Sequence, residues 1–73
     1  MGGLVNSRVA VSVEPKYEYS YIVKFTAPNA QNMWKTTELE LWCDRKGEDV
    51  GMALVNFVKR RHPYAIIYSV KYV

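Results

Sequence analysis

Residues 17–26 have the sequence YEYSYIVKFT, and this segment carries the clearest structural signal in the chain. Aromatic and β-branched side chains at every second position are typical of a strand with one buried face. Polar residues fill most of the positions between them, with Ile22 as the apolar exception. We therefore predict a strand with Tyr17, Tyr19, Tyr21, Val23 and Phe25 on one face.

A second strand is predicted after a short loop. Proline and asparagine in residues 27–32 indicate a loop, and residues 33–43 then resume an alternating pattern in which Leu39, Leu41 and Cys43 share one face. Two strands joined by about six residues form an antiparallel hairpin. The turn at residues 44–47 ends the second strand.

An amphipathic helix and a final strand complete the pattern. Glu48 and Asp49 suit the positive end of a helix dipole, and Pro63 ends the helix after a basic last turn. Residues 64–73 alternate again, which predicts a strand with Tyr64, Ile66, Tyr68, Val70 and Tyr72 on one face. The apolar stripe of the helix is formed by Val50, Ala53, Leu54, Phe57 and Val58.

These elements predict an α+β fold in the order β-β-α-β. One helix packed on one face of a three-stranded antiparallel sheet would bury all of the apolar faces. We expect residues 16–73 to form this single domain and residues 1–15 to form an N-terminal arm. Valines alternate with other residues at positions 9–13, so the arm is either flexible or an edge strand.

The composition argues against catalysis, cofactors and metals. The chain has 73 residues, one cysteine and one histidine, and no glycine-rich phosphate loop. Cys43 lies on the apolar face of a strand, where a free cysteine usually acts as a small buried hydrophobe. His62 lies in a basic helix end, without the partners that a nucleophile or metal requires. We expect a protein that is not an enzyme and that binds no cofactor.

The same composition predicts a cytoplasmic protein, which we expect to be a monomer. No apolar run approaches the length that spans a bilayer, no signal peptide is visible, and a single cysteine suits a reducing compartment. The net charge of +3 would favour approach to an acidic surface.

Three features favour binding to a macromolecule, and each has a structural alternative. The basic cluster 59–62 is either an anion-facing patch or a solvated helix end. Trp34 and Trp42 lie on the strand face opposite the leucines, where they are either exposed for a partner or covered by the arm. The apolar arm is either a local edge strand or a segment that adds to a sheet.

In length, in the Met1–Val5 arm and in its strand–strand–helix–strand body from Tyr17 to Val73, the chain resembles small phage-encoded regulators of host bacterial RNA polymerase, such as those of lytic Xanthomonas phages. The resemblance implies binding to the largest subunits of the polymerase near the RNA exit region. It further implies inhibition of σ-dependent initiation and altered termination, in the cytoplasm of a host bacterium.

The resulting hypothesis is a non-enzymatic transcription regulator that docks on bacterial RNA polymerase through apolar and basic side chains. Two alternatives are an inhibitor of another bacterial protein and a small nucleic-acid-binding module, in which Tyr17, Tyr19 and Tyr21 would stack on bases. Direct contact with nucleic acid is otherwise expected to be secondary, and no contact with a membrane is expected. The predicted partner-binding residues are Leu4, Val5, Arg8, Val9, Val11, Trp34, Trp42, Arg60 and Arg61.

Overall fold

The computed structural model describes residues 9–73, which form one antiparallel sheet and one helix. The strands are β1 (Val11–Ser12), β2 (Tyr19–Pro28), β3 (Trp34–Cys43) and β4 (Ile66–Tyr72), and the helix is α1 (Glu48–Arg61). The sheet order is β1-β3-β2-β4. The α+β class and the order of the predicted elements are confirmed.

The prediction of three strands is wrong, because the sheet has four. Val11 pairs with Cys43 and Ser12 with Trp42, so part of the predicted arm is an edge strand beside β3. Val11 lies opposite Cys43 on the side of the sheet that packs on the core, so partial burial of its side chain stabilises the pairing of this short strand. The other predicted strands keep their places, and β4 pairs with β2.

The long hairpin of β2 and β3 is closed by an asparagine turn. Ten residue pairs form across it, from Tyr19 with Cys43 to Pro28 with Trp34. The Asn29 side-chain oxygen accepts the N–H groups of Gln31 (2.9 Å) and Met33 (3.0 Å), which folds the loop onto itself. Asn32 adopts a φ of 61°, a conformation that asparagine tolerates better than most residues.

The core lies between one face of the sheet and α1. The fully buried side chains with the largest volumes are Leu41, Leu54, Val23, Val50, Val58 and Cys43. Val50, Leu54 and Val58 recur every four residues on α1, so the predicted stripe is confirmed at its centre. Ala53 and Phe57, which the sequence placed in the same stripe, are only partly buried at its border.

The predicted single face of the last strand is wrong, because β4 contains an irregularity. The register with β2 shifts between Lys24 and Phe25, so that Ser69 pairs with Lys24 but Ile67 pairs with Phe25. An extra residue at such a point breaks the two-residue period. Ile67 therefore packs against the core together with Val70, whereas the following residues, predicted to share the face of Val70, are exposed: Tyr64, Ile66 and Tyr68. Tyr72 remains on the core side beside Tyr21, although 52% of its surface is exposed.

Candidate partner-binding groove

A groove runs between the N-terminal segment and the outer side of α1. Its volume is about 460 Å³. The N-terminal segment supplies one wall and the helix supplies the other, because β1 holds residues 9–12 beside β3 under the helix. We call it the arm–helix groove, and it is lined by Val9, Val11, Asp49, Met52, Ala53, Asn56, Phe57 and Arg60.

The lining of the groove mixes apolar and polar side chains, and a charged side chain lies near each end. Met52 is 71% exposed and Phe57 half-buried, so apolar surface faces solvent there. Asp49 belongs to the first turn of α1 and Arg60 to the last turn. They are eleven positions apart along the helix, which is about 16 Å at 1.5 Å per residue. That length accommodates about five residues of an extended peptide.

The two predicted arginines have different positions relative to the groove. Arg60 lines the groove and is exposed, so its guanidinium is free to meet a carboxylate of a partner. The guanidinium of Arg61 lies 4.8 Å from the centre of the Phe57 ring, a cation–π contact. Arg61 therefore borders the groove through Phe57 without lining it.

Backbone and side-chain hydrogen bonds fix the described part of the arm to the turn before α1. The Ala10 N–H donates to Oδ1 of Asp44 (3.2 Å), and the Asp44 N–H donates to the carbonyl oxygen of Ala10 (3.3 Å). Arg45 lies within ion-pair distance of the same carboxylate, with 3.5 Å between Nε and Oδ1. The predicted site residues Leu4, Val5 and Arg8 lie outside the described residues.

Val9 and Val11 have a double role in this arrangement. Both pack against the core from a partly buried position, and both line the arm–helix groove. They therefore belong to the domain as well as to its candidate binding surface. The edge-strand interpretation of the arm holds for Val11 and Ser12.

Trp34 and Trp42 lie on the sheet face opposite the helix, away from the groove. Trp42 stands between Ser12 and Ser20 and is half-buried, whereas Trp34 lies opposite Pro28 and is 53% exposed. They are eight positions apart along the strand, about 26 Å at 3.3 Å per residue. The structure thus joins Val9, Val11 and Arg60 into one surface and leaves the two indoles apart.

Sequence reasoning missed Met52 and Asn56 as lining residues. They lie beside the buried stripe at positions i and i+4, so they form a row on the helix surface next to Ala53. The available signal was the large apolar Met52 outside the stripe. It could not be interpreted without knowing that β1 places the arm beside that row.

Cys43 is fully buried, which confirms its prediction as a small buried hydrophobe. Burial, with a smaller contribution from the Asp44 carboxylate, raises the pKa of its thiol. A thiol held in its neutral form is a weak nucleophile. Among residues 9–73, no three His, Cys, Asp or Glu side chains are grouped to hold a metal ion.

The tyrosines that would stack on bases do not form an open platform. Tyr21 is only 8% exposed, and burial is the main cause of the raised pKa of its phenol. Its ring packs against Tyr72, with 5.2 Å between the ring centres. Tyr17 and Tyr19 are half-buried. Stacking on a base requires a free ring face, and Tyr21, one of the three tyrosines that the nucleic-acid alternative assigned to stacking, does not offer one.

Comparisons with known protein families, with curated proteins and with solved structures found no match for this chain. Within the part of the chain that the structure describes, no helix is long and apolar enough to cross a membrane.

Proposed function

We propose that this protein is a non-enzymatic regulator that binds host bacterial RNA polymerase in the cytoplasm, inhibiting σ-dependent initiation and altering termination. The observation that carries the binding role is the arm–helix groove, where exposed apolar side chains lie together with the exposed, charged side chain of Arg60. Surfaces that combine exposed apolar side chains with charged ones are common in protein–protein contacts. The choice of polymerase, and of its largest subunits, rests on the resemblance described above.

The groove fits a short extended or irregular segment with apolar side chains and a carboxylate. The apolar side chains would cover Met52 and Phe57, and the carboxylate would pair with Arg60. A bound domain of this size would then obstruct the polymerase surface that σ factor requires. The interaction needs no covalent chemistry, in keeping with a chain whose thiol is buried.

Arg60→Glu tests the groove against purified polymerase. We expect it to weaken binding by about tenfold or more, because it replaces attraction by repulsion at the border of the contact. Lys59→Glu is the matched control, since Lys59 is exposed and carries the same charge but does not line the groove. It should change the affinity by less than about threefold. Surface plasmon resonance with core enzyme and holoenzyme gives both affinities.

Two outcomes would contradict the proposal. Equal losses from Arg60→Glu and Lys59→Glu would indicate general attraction to an acidic surface, and no binding of wild-type protein to either form of polymerase would remove the proposed partner. Retention of DNA or RNA in a gel-shift assay, with an affinity that falls steeply with salt, would favour the nucleic-acid alternative. Deletion of residues 1–13 is a poor test, because it also removes β1 from the sheet.

A further inference from the structure

Exposed apolar side chains are concentrated in β4 and the residues on either side of it. Nine large apolar side chains between residues 9 and 73 are exposed, and five of them belong to residues 64–73. Within the described sheet, β4 is an edge strand that pairs only with β2. The five side chains are Tyr64, Ile66, Tyr68, Tyr72 and Val73.

The opposite edge of the sheet is built differently. There, β3 carries Lys35, Glu38 and Glu40, and β1 covers its end at Trp42 and Cys43. Charged residues and a short covering strand are common means of preventing a sheet edge from pairing with another chain. Strand β4 has seven residues and one charge, Lys71. It is the less protected of the two edges.

The hydrogen-bond pattern shows which backbone groups of β4 point outward. The Val73 N–H donates to the Ser20 carbonyl oxygen (3.0 Å), so Val73 faces β2. Orientation alternates along an antiparallel strand, and Lys71, opposite Ile22, therefore faces β2 as well. Tyr72 lies between Lys71 and Val73, and Val70 precedes Lys71. Their N–H and C=O groups consequently point away from β2, toward the open edge.

Cations surround this part of the edge. Lys71 lies on the sheet face opposite the helix, and Nζ of Lys46 lies 4.4 Å from the centre of the Tyr72 ring. The acids of the four described strands are Glu38 and Glu40, both on β3. Strand β3 is two strand spacings from β4, about 9.5 Å. Lys71 and Lys46 therefore place two positive charges at β4, closer to it than the two acids of β3.

A second copy of this chain fits the edge poorly. In the symmetric antiparallel pairing where Val70 and Tyr72 of each copy exchange their hydrogen bonds, Lys71 lies directly opposite the Lys71 of the other copy. Directly opposed like charges destabilise a strand pair. A strand with an acidic residue at that position would instead form a favourable cross-strand pair.

We propose that the β4 edge binds an extended segment of a partner protein in which apolar residues alternate with acidic ones. The backbone of the segment pairs with Val70 and Tyr72, and an acidic side chain faces Lys71. The inference rests on the proposed function in that the segment would belong to the polymerase. It adds a second contact, because the β4 edge and the arm–helix groove lie at opposite edges of the sheet.

Two synthetic peptides test the chemistry of the partner. The acidic probe is Ac-Thr-Val-Glu-Val-Glu-Val-Thr-NH₂, and its control replaces both glutamates by lysine. We expect the full-length protein to bind the acidic peptide about tenfold or more tightly than the lysine peptide, because like charges oppose each other in the second complex. Titrations followed by NMR give both affinities.

Amide hydrogen exchange in the same samples tests the pairing itself. The acidic peptide should slow exchange at Val70 and Tyr72, whose N–H groups are open in the free protein. It should leave Lys71 nearly unchanged, because that N–H already faces β2. Protection at Val70 and Tyr72 in the free protein, or shifts confined to the arm–helix groove on adding peptide, would overturn the proposal. So would a concentration-dependent dimer that protects the same two amides.

Two variants complete the test. Val70→Pro removes an outward N–H, and proline is tolerated at such positions on edge strands. In the Val70→Pro variant the acidic peptide should no longer slow amide exchange at Tyr72, while unchanged exchange in β3 would show that the fold is retained. Lys71→Glu should reverse the preference between the peptides. An unchanged preference would overturn the inference regardless of how well Val70→Pro folds.

The polymerase assay separates this inference from the proposed function. If wild-type protein binds polymerase but neither peptide, the edge inference fails and the proposed function stands. If the peptides behave as expected but no polymerase binds, the edge remains a strand-binding site and the proposed partner is wrong.

Discussion

At the scale of single residues, the two glycines around the start of α1 have opposite roles. Gly47 precedes the helix with a φ of 152° and a ψ of 174°, a conformation that is almost restricted to glycine. A β-carbon there would also approach Oδ1 of Asp49 at 3.2 Å. Gly51 lies within the helix, and nothing lies within 4 Å of the position that its β-carbon would occupy. The first glycine is required by the backbone, and the second is not.

Alanine substitutions at these glycines should therefore have opposite signs. We expect Gly47→Ala to lower the free energy of unfolding by about 1–3 kcal/mol, the typical cost of a strained backbone. Gly51→Ala should raise it by about 0.5–1 kcal/mol, because alanine favours the helix. Urea denaturation of the two variants measures both values. A stabilised Gly47→Ala variant would mean that the turn adopts another conformation.

The buried thiol of Cys43 should make stability depend on pH in the alkaline range. Its pKa is raised above the ordinary value of 9.0, first by burial and then by Asp44. The folded state thus holds this proton more tightly than the unfolded state. The corresponding stability is fully present below the ordinary pKa and is lost as the pH rises through the raised pKa.

Cys43→Ala should reduce this alkaline loss of stability. Urea denaturation between about pH 7 and pH 10.5, on either side of the ordinary thiol pKa, gives the comparison. The variant will be less stable at neutral pH because it loses a buried sulfur, so the slopes are compared and not the absolute values. A shallower slope supports the assignment, and Tyr21, whose pKa is also raised, accounts for part of what remains. Identical slopes would contradict it.

At the scale of elements, β4 shows how one inserted residue changes the role of its neighbours. Strict alternation over residues 64–73 predicts that Ile66 lies on the same face as Val70, which packs on the core. The register shift opposite Lys24 and Phe25 places Ile67 there instead. The sequence gives no signal for the shift, because isoleucine occupies both positions. The irregularity depends on how β4 meets β2, a contact between segments that are distant in sequence.

Alanine scanning of the two isoleucines tests this register. Ile67→Ala should lower the free energy of unfolding by about 1–3 kcal/mol, because Ile67 packs on the core from a partly buried position. Ile66→Ala should change it by less than about 0.5 kcal/mol, since Ile66 is 54% exposed. Chemical denaturation of both variants provides the values. A larger loss of stability for Ile66→Ala than for Ile67→Ala would indicate that β4 alternates regularly, without the register shift.

At the scale of the whole molecule, local patterns predicted the elements but not their assembly. The periods of β2 and α1 are properties of neighbouring residues, so their faces follow from the sequence alone. The attachment of Val11 to Cys43 joins residues 32 positions apart and turns three predicted strands into four. The arm–helix groove depends on that attachment. Val9, Val11 and Arg60 could therefore be predicted as separate contact residues, whereas the groove that they form together with Met52 could not.

The positions of the two tryptophans give this molecule a built-in optical readout. A collisional quencher in solution reaches the indole of Trp34 at the hairpin end of β3, whereas the half-buried indole of Trp42 is partly shielded. Trp42 pairs with Ser12, so detachment of β1 would change its surroundings and leave those of Trp34 as they are. Release of the N-terminal strand can thus be followed by intrinsic fluorescence without any attached dye.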